Sequence, residues 1–326
     1  MRYTSSVSAY GKPKVHVLLE GRYRKLVRDL PQTIFYCPVC KGRGKGCQSC
    51  EGFGKLTKDS VQELIQRKVL PRYRSRRGKF HGAGREDLDV RMLGGGRPFV
   101  FEVVNPKNLI VDLDEIRDAI NDYGRARIEV TDFVTVPRKR VAQIKETHSP
   151  KVYRSLVVVD KEPTDEALEQ VIGRSVEVMQ RTPQRVAHRR ADKDRLREVT
   201  VRSIERADGP AGETCLLIEV VCQHGTYVKE WISGEEGRSR PSLASLLEVD
   251  TRCLALDVLD VPGPFPELEG VSAPSFNDAL SWPPANGDED RWDLPTPNSV
   301  SVRAADGDAV AAPMATEAGD PAEEQE

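Results

Sequence analysis

The feature that most narrows what this chain can fold into is a short run near its start, CPVCKGRGKGCQSCEGFG, from Cys37 to Gly54. It writes CxxCxGxG twice: Cys37, Cys40, Gly42 and Gly44, then Cys47, Cys50, Gly52 and Gly54. Two CxxC pairs supply four thiolates, and the glycines permit turns that aim peptide N–H groups at sulfur. Four thiolates close a tetrahedral zinc site with no position left for water. The expectation is therefore structural Zn2+, with no catalytic metal. A redox CxxC is the alternative for such a pair, and it needs a different context.

The charge is unevenly placed. The 326 residues carry a net charge of only −2, but from Pro264 onward two basic residues face fourteen acidic ones. The remainder is correspondingly basic, with 47 basic against 37 acidic side chains. A basic body with an acidic tail fits nucleic-acid binding. No apolar run approaches the roughly 20 residues of a membrane span, and nothing looks like a signal peptide, so the expected location is cytoplasmic. Disulfides are unusual there, which leaves Cys215, Cys222 and Cys253 as core thiols. Residues 263–326 are Pro-rich and then rich in Ala, Glu and Asp, a disordered composition. Trp282 and Trp292 are the hints there of docking to an unknown partner.

A second stretch, HGAGREDLDVRMLGGGRPF from His81 to Phe99, brackets two arginines and an acidic cluster with five glycines. A carboxylate two residues after an arginine, on a Gly-bounded loop before a strand, can be held ionised by that guanidinium. The plainer reading is a surface turn with an ordinary ion pair. Two basic runs accompany it. Gly21 to Thr33 holds Arg22, Arg24, Lys25 and Arg28, and reads as a phosphate-contacting loop. Arg72 to Phe80 holds Arg74, Arg76, Arg77 and Lys79 with two interleaved aromatics, which suits RNA.

The periodicity predicts an α+β chain. Strands are expected at 14–19, 99–104, 125–136, 175–178, 198–204, 214–222 and 253–261. Helices are expected from a Ser60/Glu63 capping box to Leu70, with Pro71 as the stop, from Asp112 past Ile120, and from Thr164 to Gly173. Several strands adjoin in sequence, so the sheet should be mixed or antiparallel and not doubly wound. The expected division is a segment 1–58 with the zinc module, a catalytic domain 59–262, and the tail.

The His81–Phe99 stretch resembles the signature of the archaeal and eukaryotic tRNA pseudouridine synthases that act on the TΨC arm, GREDxDVRxLGxGRPF. The match runs over Gly84, Arg85, Glu86, Asp87, Asp89, Val90, Arg91, Leu93, Gly94, Gly96, Arg97, Pro98 and Phe99. GRYRKLVRDLPQT, KVYRSL (Lys151 to Leu156) and GTYVK (Gly225 to Lys229) resemble further elements of the family, in the family's order. The resemblance covers roughly residues 14 to 262.

It implies a pseudouridine synthase core, a long mixed sheet with flanking helices and a central cleft. It implies isomerisation of uridine to pseudouridine in tRNA, at position 55, position 54 or both. That reaction needs no organic cofactor, in agreement with the lack of a P-loop or Rossmann fingerprint. Asp87 would be the catalytic carboxylate, as nucleophile or base. Arg85 would fill the space left by the flipped base. Tyr153 would stack on it, and Tyr227, Val228 and Lys229 would wall the pocket, with Lys229 paired to Asp87. Leu246 or Leu247 would be the apolar packing residue. Asp89 would pair with Arg91 or Arg97. Family members carry a longer N-terminal region with a THUMP-type RNA-binding domain, where this sequence has Met1 to Tyr36 before the first cysteine. The expected partner is tRNA, bound by a monomer. The rival reading is a catalytically inactive zinc-containing tRNA-binding protein. The doubled CxxCxGxG also looks like the zinc modules of J-domain co-chaperones, which carry more repeats and a J domain.

Overall fold

A computed structural model of the chain describes residues 4–7, 13–188 and 190–262. The expected tail, 263–326, lies outside the described residues. In chain order the elements are β1 (Thr4–Val7), β2 (Pro13–Lys25), α1 (Val61–Arg72), β3 (Arg77–Gly82), β4 (Val90–Val104) and α2 (Leu113–Tyr123). Then follow β5 (Ile128–Val130), β6 (Val134–Thr135), α3 (Lys139–Glu146), β7 (Lys151–Val159), α4 (Asp165–Val171), β8 (Ser175–Arg181) and α5 (Gln184–Ala187). The last are β9 (Asp194–Asp208), β10 (Thr214–Cys222), α6 (Val228–Ser233), β11 (Ser239–Arg240), α7 (Leu243–Leu247) and β12 (Thr251–Asp260).

One mixed sheet runs β1-β2-β4-β12-β7-β10-β9-β8-β11, with β3 also on β4 and with β5 and β6 also on β2. The pairing of β4 with β12 is parallel, Val90 to Met92 against Leu256 to Val258. The other described pairs are antiparallel. This is the expected α+β class, with helices flanking the sheet. The parallel junction sets the start of β4 in mid-sheet, beside β12.

Local chemistry explains most boundaries. Ser60 caps α1: its hydroxyl accepts from the Glu63 N–H at 3.2 Å and donates to the Glu63 carboxylate at 2.9 Å. Asp112 caps α2 by accepting from Asp114 and Glu115, and Thr164 caps α4 by accepting from Ala167. Pro71 does not end α1 as expected. It sits in the last turn, and the helix closes at Arg72. The expected strand 125–136 is two short strands, β5 and β6, both paired with β2.

The larger correction concerns Gly21 to Lys25, which is no loop. β2 continues through it, pairing Gly21 with Phe99 and Tyr23 with Arg97. Successive side chains alternate faces along a strand. Tyr23 and Lys25 therefore point inward and are fully buried, while Arg22 and Arg24 lie half-buried on the other face. Tyr23, Phe80, Phe99 and Phe133 form a ring cluster with centroids 5.0–5.9 Å apart. Such aromatic pairs stabilise by about 0.5–1.5 kcal/mol each beyond area burial. The first 58 residues thus give the sheet an interior strand, next to β1 at one end, as well as carrying the cysteine module.

Candidate active site and cysteine module

The loop from Ala83 to Asp89 joins β3 to β4, and its residues divide between the core and the surface. Glu86 turns down and is 5% exposed. It accepts from Tyr23 Oη at 2.8 Å and from Arg97 Nε at 2.8 Å. Arg97 Nη1 donates to the Ala83 carbonyl at 2.9 Å. Gln32 Nε2 donates to the Gly84 carbonyl at 3.0 Å and to Tyr23 Oη at 2.7 Å. Burial and the Glu86 charge push the Tyr23 phenol well above its ordinary range, so it stays a donor. A buried ion pair of this kind is tolerated only where the remaining polar atoms are also bonded, and here they are.

Lys25 works from the same side. Its ammonium donates to the carbonyls of Leu30, Asp87 and Leu88 at 2.8, 3.0 and 3.1 Å. Burial lowers it to about 8, against the pull of Glu86 and Asp89. The expected RNA contact at Lys25 is therefore corrected: no phosphate reaches a fully buried ammonium, and the residue holds the loop instead. Arg22 bonds the Gly96 carbonyl at 2.9 Å. Arg74, Arg76, Arg77 and Lys79 are exposed, with Lys79 3.5 Å from Glu102.

Asp87 and Asp89 stay at the surface of the loop, on different cations. Lys229 Nζ lies 2.5 Å from Asp89 Oδ2, so the expected Lys229–Asp87 pair is not formed. Asp87 Oδ2 meets Arg185 Nη1 at 3.1 Å. The cause is a turn at Leu88 and Asp89, where Val90 N–H bonds the Asp87 carbonyl at 3.2 Å and breaks the extended geometry that would align both acids. Burial favours the neutral form of Asp89, but the Lys229 ammonium outweighs it and holds the carboxyl below its ordinary value. Arg91 and Arg97 do not serve Asp89. Arg97 is on Glu86, and Arg91 forks onto Asp257 of β12 at 2.9 and 2.6 Å, beside Arg28 at 2.6 Å.

Arg185, on α5, is the functional candidate that the sequence reading did not include. Its Nε pairs with Glu230, a buried residue of α6, so a carboxylate, a guanidinium and Asp87 lie in series. Burial opposes the charge on Arg185, but Glu230 and the two aspartates raise its pKa overall. A sequence signal was present. RTPQRVAHRRADKDRLR, residues 181–197, holds seven basic residues against two acidic ones.

The other expected site residues take these places. Tyr153 is half-buried on β7, opposite Val220 of β10 and Val258 of β12. Burial raises its phenol, and the charges of Arg97, Glu86 and Asp87 all reach it. Tyr227 precedes α6, and Gln180 of β8 grips its peptide group from both sides. Gln180 Oε1 accepts from Tyr227 N–H at 2.9 Å and Nε2 donates to its carbonyl at 3.0 Å. Val228 is buried in the core, and Leu246 packs against the core from α7. Arg85 is exposed at the loop tip.

The four cysteines converge as expected. Their sulfurs lie within 4.8 Å of one another, with Cys37 to Cys47 at 3.9 Å and Cys40 to Cys50 at 3.7 Å. The N–H groups of Gly44 and Gly54 donate to Cys40 and Cys50 at 3.3 and 3.1 Å. Peptide donors stabilise thiolate, and the N–H of Cys40 does most to lower Cys37 to about 6. The donor set fits a metal ion held by four sulfurs. Among the described residues no helix is long and apolar enough to cross a membrane.

Comparison with known proteins gives the family of the chain. The family model described as Pus10, C-terminal, matches residues 18–262. The curated tRNA pseudouridine synthase Pus10 of Methanothrix thermoacetophila is 47% identical over 247 residues, 74% of this chain and 53% of that protein. The Pus10 of Methanocaldococcus jannaschii is 43% identical over 248 residues, 75% of this chain and 53% of its own length. The chain thus spans about half the length of these relatives. The solved "Crystal Structure of a Cbf5-Nop10-Gar1 Complex" aligns at a TM-score of 0.32 and 17% identity, covering 61% of this chain and 44% of that one. With three quarters of its residues matched by the family model and its GRED loop, paired acids and cysteine module in place, the chain belongs to the Pus10 C-terminal family.

Proposed function

We propose that the chain isomerises uridine to pseudouridine in tRNA, with Asp87 as the catalytic carboxylate and the TΨC arm, position 55, 54 or both, as the target. The observation that carries this reading is the meeting of two charge pairs on one anchored loop. Asp87 faces Arg185, and Asp89 faces Lys229, with the charge of Asp87 also felt at Tyr153. The reaction breaks the C1′–N1 bond of a flipped-out uridine, turns the uracil, and forms a C1′–C5 bond. The proton on C5 leaves and N1 regains one, so no redox equivalent is consumed. In this reading Asp87 is the acting acid, and its partner guanidinium, Arg185, is also paired with Glu230. Tyr153, kept neutral by burial, is a stacking surface and a hydroxyl that can carry a proton. The four cysteines hold structural Zn2+, and no organic cofactor takes part.

Tritium release from tRNA transcripts carrying 5-tritiated uridine tests the proposal, with mapping of the product to position 54 or 55. The wild type releases tritium. Asp87→Asn removes the charge and keeps the shape, so turnover should be lost while tRNA affinity is nearly unchanged, as for an interaction made in the transition state. Turnover by Asp87→Asn with none by Asp89→Asn would move the catalytic role two residues along. No release by the wild type from any tRNA would leave the inactive binding protein as the better reading.

A further inference from the structure

The cysteine module shows an unusual surface. Among the described residues eleven large apolar side chains are exposed, and five of them, Phe35, Tyr36, Val39, Phe53 and Leu56, fall within this small module. Exposed apolar groups concentrated in that way mark a contact surface. Cations are interleaved with them: Lys41, Arg43, Lys45 and Lys58 are all exposed. Residues 34–58 hold five basic side chains against one acidic. A Zn2+ on four thiolates adds a charge of −2 and leaves the module positive.

The two CxxCxGxG repeats place these groups side by side. A Cβ on Gly44 would collide with the Gly52 carbonyl, and one on Gly54 would lie 2.6 Å from the Gly42 carbonyl oxygen. Gly44 thus faces Gly52, and Gly54 faces Gly42. Arg43 and Phe53, each midway between its glycines, fall opposite each other, and both are exposed, Phe53 by 73%. Tyr36, 58% exposed, lies against the same turn, its ring 2.8 Å from where a Gly42 Cβ would be. One patch therefore offers two aromatic rings and a guanidinium, with Lys41 and Lys45 close in sequence.

We propose that this face of the cysteine module is a second RNA contact, on which an unpaired base outside the reacting nucleotide stacks against Phe53 and Tyr36. Arg43 extends the platform, and Lys41 and Lys45 meet the adjoining phosphates. Aromatic rings with interleaved cations are the chemistry that binds unpaired nucleotides without regard to sequence. The positive balance favours RNA over an apolar protein partner. The choice of tRNA as the RNA rests on the function proposed above; the stacking itself does not.

The test uses the full chain, an unmodified tRNA transcript and a short single-stranded oligouridine. Phe53→Ala and Tyr36→Ala should each weaken binding of both RNAs by about 5- to 150-fold, the cost of one lost base stack. Phe53→Leu keeps apolar area but loses the ring, and should weaken binding as well. The salt dependence of binding should keep its slope in Phe53→Ala, which removes no phosphate contact, and become shallower in Lys45→Gln. Bound metal per chain should stay at the wild-type value in all four variants, which reports an intact module. Unchanged affinity in the Phe53→Ala, Tyr36→Ala double variant with its metal retained overturns the proposal. So does a wild-type dimer that this double variant dissociates with no change in RNA affinity, an outcome that would give the face to a second copy of the chain. If the wild type releases no tritium but Phe53→Ala still loses RNA affinity, the enzymatic reading fails and the contact stands.

Discussion

Asp87 and Asp89 are separated by one leucine, yet each answers to a different part of the chain. Arg185 and Lys229 come from α5 and α6, remote in sequence from the loop and from each other. A pair that depresses an acid's pKa links stability to pH. For Asp89 the folded value lies below the ordinary 3.8. Its contribution is complete above that ordinary value and is lost as pH falls through the lower folded one, because the unfolded chain takes the proton first. Lys229→Met removes the partner, so its stability should fall less steeply than that of the wild type as pH drops from about 5 to 3. Urea midpoints across that range measure the difference. Parallel curves would mean that the pair contributes nothing to folding. The same two acids show where the residue scale was opaque in the sequence. The spacing RxD marked Asp87, but the partner of each carboxylate depended on a turn at Leu88 that composition does not encode.

At the scale of elements, α6 is a short helix whose register decides where Lys229 points. Its start is held by Gln180, 1% exposed, which satisfies both polar atoms of the Tyr227 peptide and also donates to Ser239 at 2.9 Å. Gln180→Leu is close in size but leaves the Tyr227 N–H unpaired, at a cost of about 1–3 kcal/mol, while the Tyr227 carbonyl keeps its bond from the Trp231 N–H at 2.9 Å. Turnover should fall tenfold or more while the Michaelis constant for tRNA changes little, because the helix that presents Lys229 loses its fixed orientation. Gln180→Glu restores the acceptor and should recover part of the rate. Single-turnover kinetics on both variants, beside circular dichroism, separate this from simple unfolding. Elements with strong local signals were legible: the capped starts of α1, α2 and α4, and β10, which spans Thr214–Cys222 as the alternation indicated. α6 was not, because its six residues are too few for a period to show. β2 was underestimated because its basic residues suggested a loop, whereas the strand alternation simply continues through them.

Taken whole, the molecule joins a sheet-based body to a loop module with little apolar interior of its own, in which Cys37 and Cys50 are buried. In such a module metal-binding energy is folding energy. Replacing Cys37 and Cys40 by Ser should therefore lower metal content and thermal midpoint together, and a chelator should do the same to the wild type. Elemental analysis paired with calorimetry checks it, and protein purified natively without any metal would contradict it. Fold class and the cysteine ligands could be read from the sequence because each rests on local pattern, alternation in one case and CxxC spacing in the other. The meeting of the two acids with Arg185 and Lys229 could not, since it joins a loop, α5 and α6 that lie far apart in the sequence.

The buried Glu86–Arg97 pair beneath the loop has a mechanical meaning. Tied to Tyr23, Gln32 and Lys25 from below, the segment with both acids cannot swing aside without dragging charged groups out of the core. It is a fixed jaw. The opposing jaw, α5 and α6, touches it through Arg185–Asp87 and Lys229–Asp89, whose acids are partly open to water. Under the function proposed above, admitting a nucleotide would mean unlatching two surface clasps while the anvil stays still, so that Asp87 would meet each incoming base in the same place.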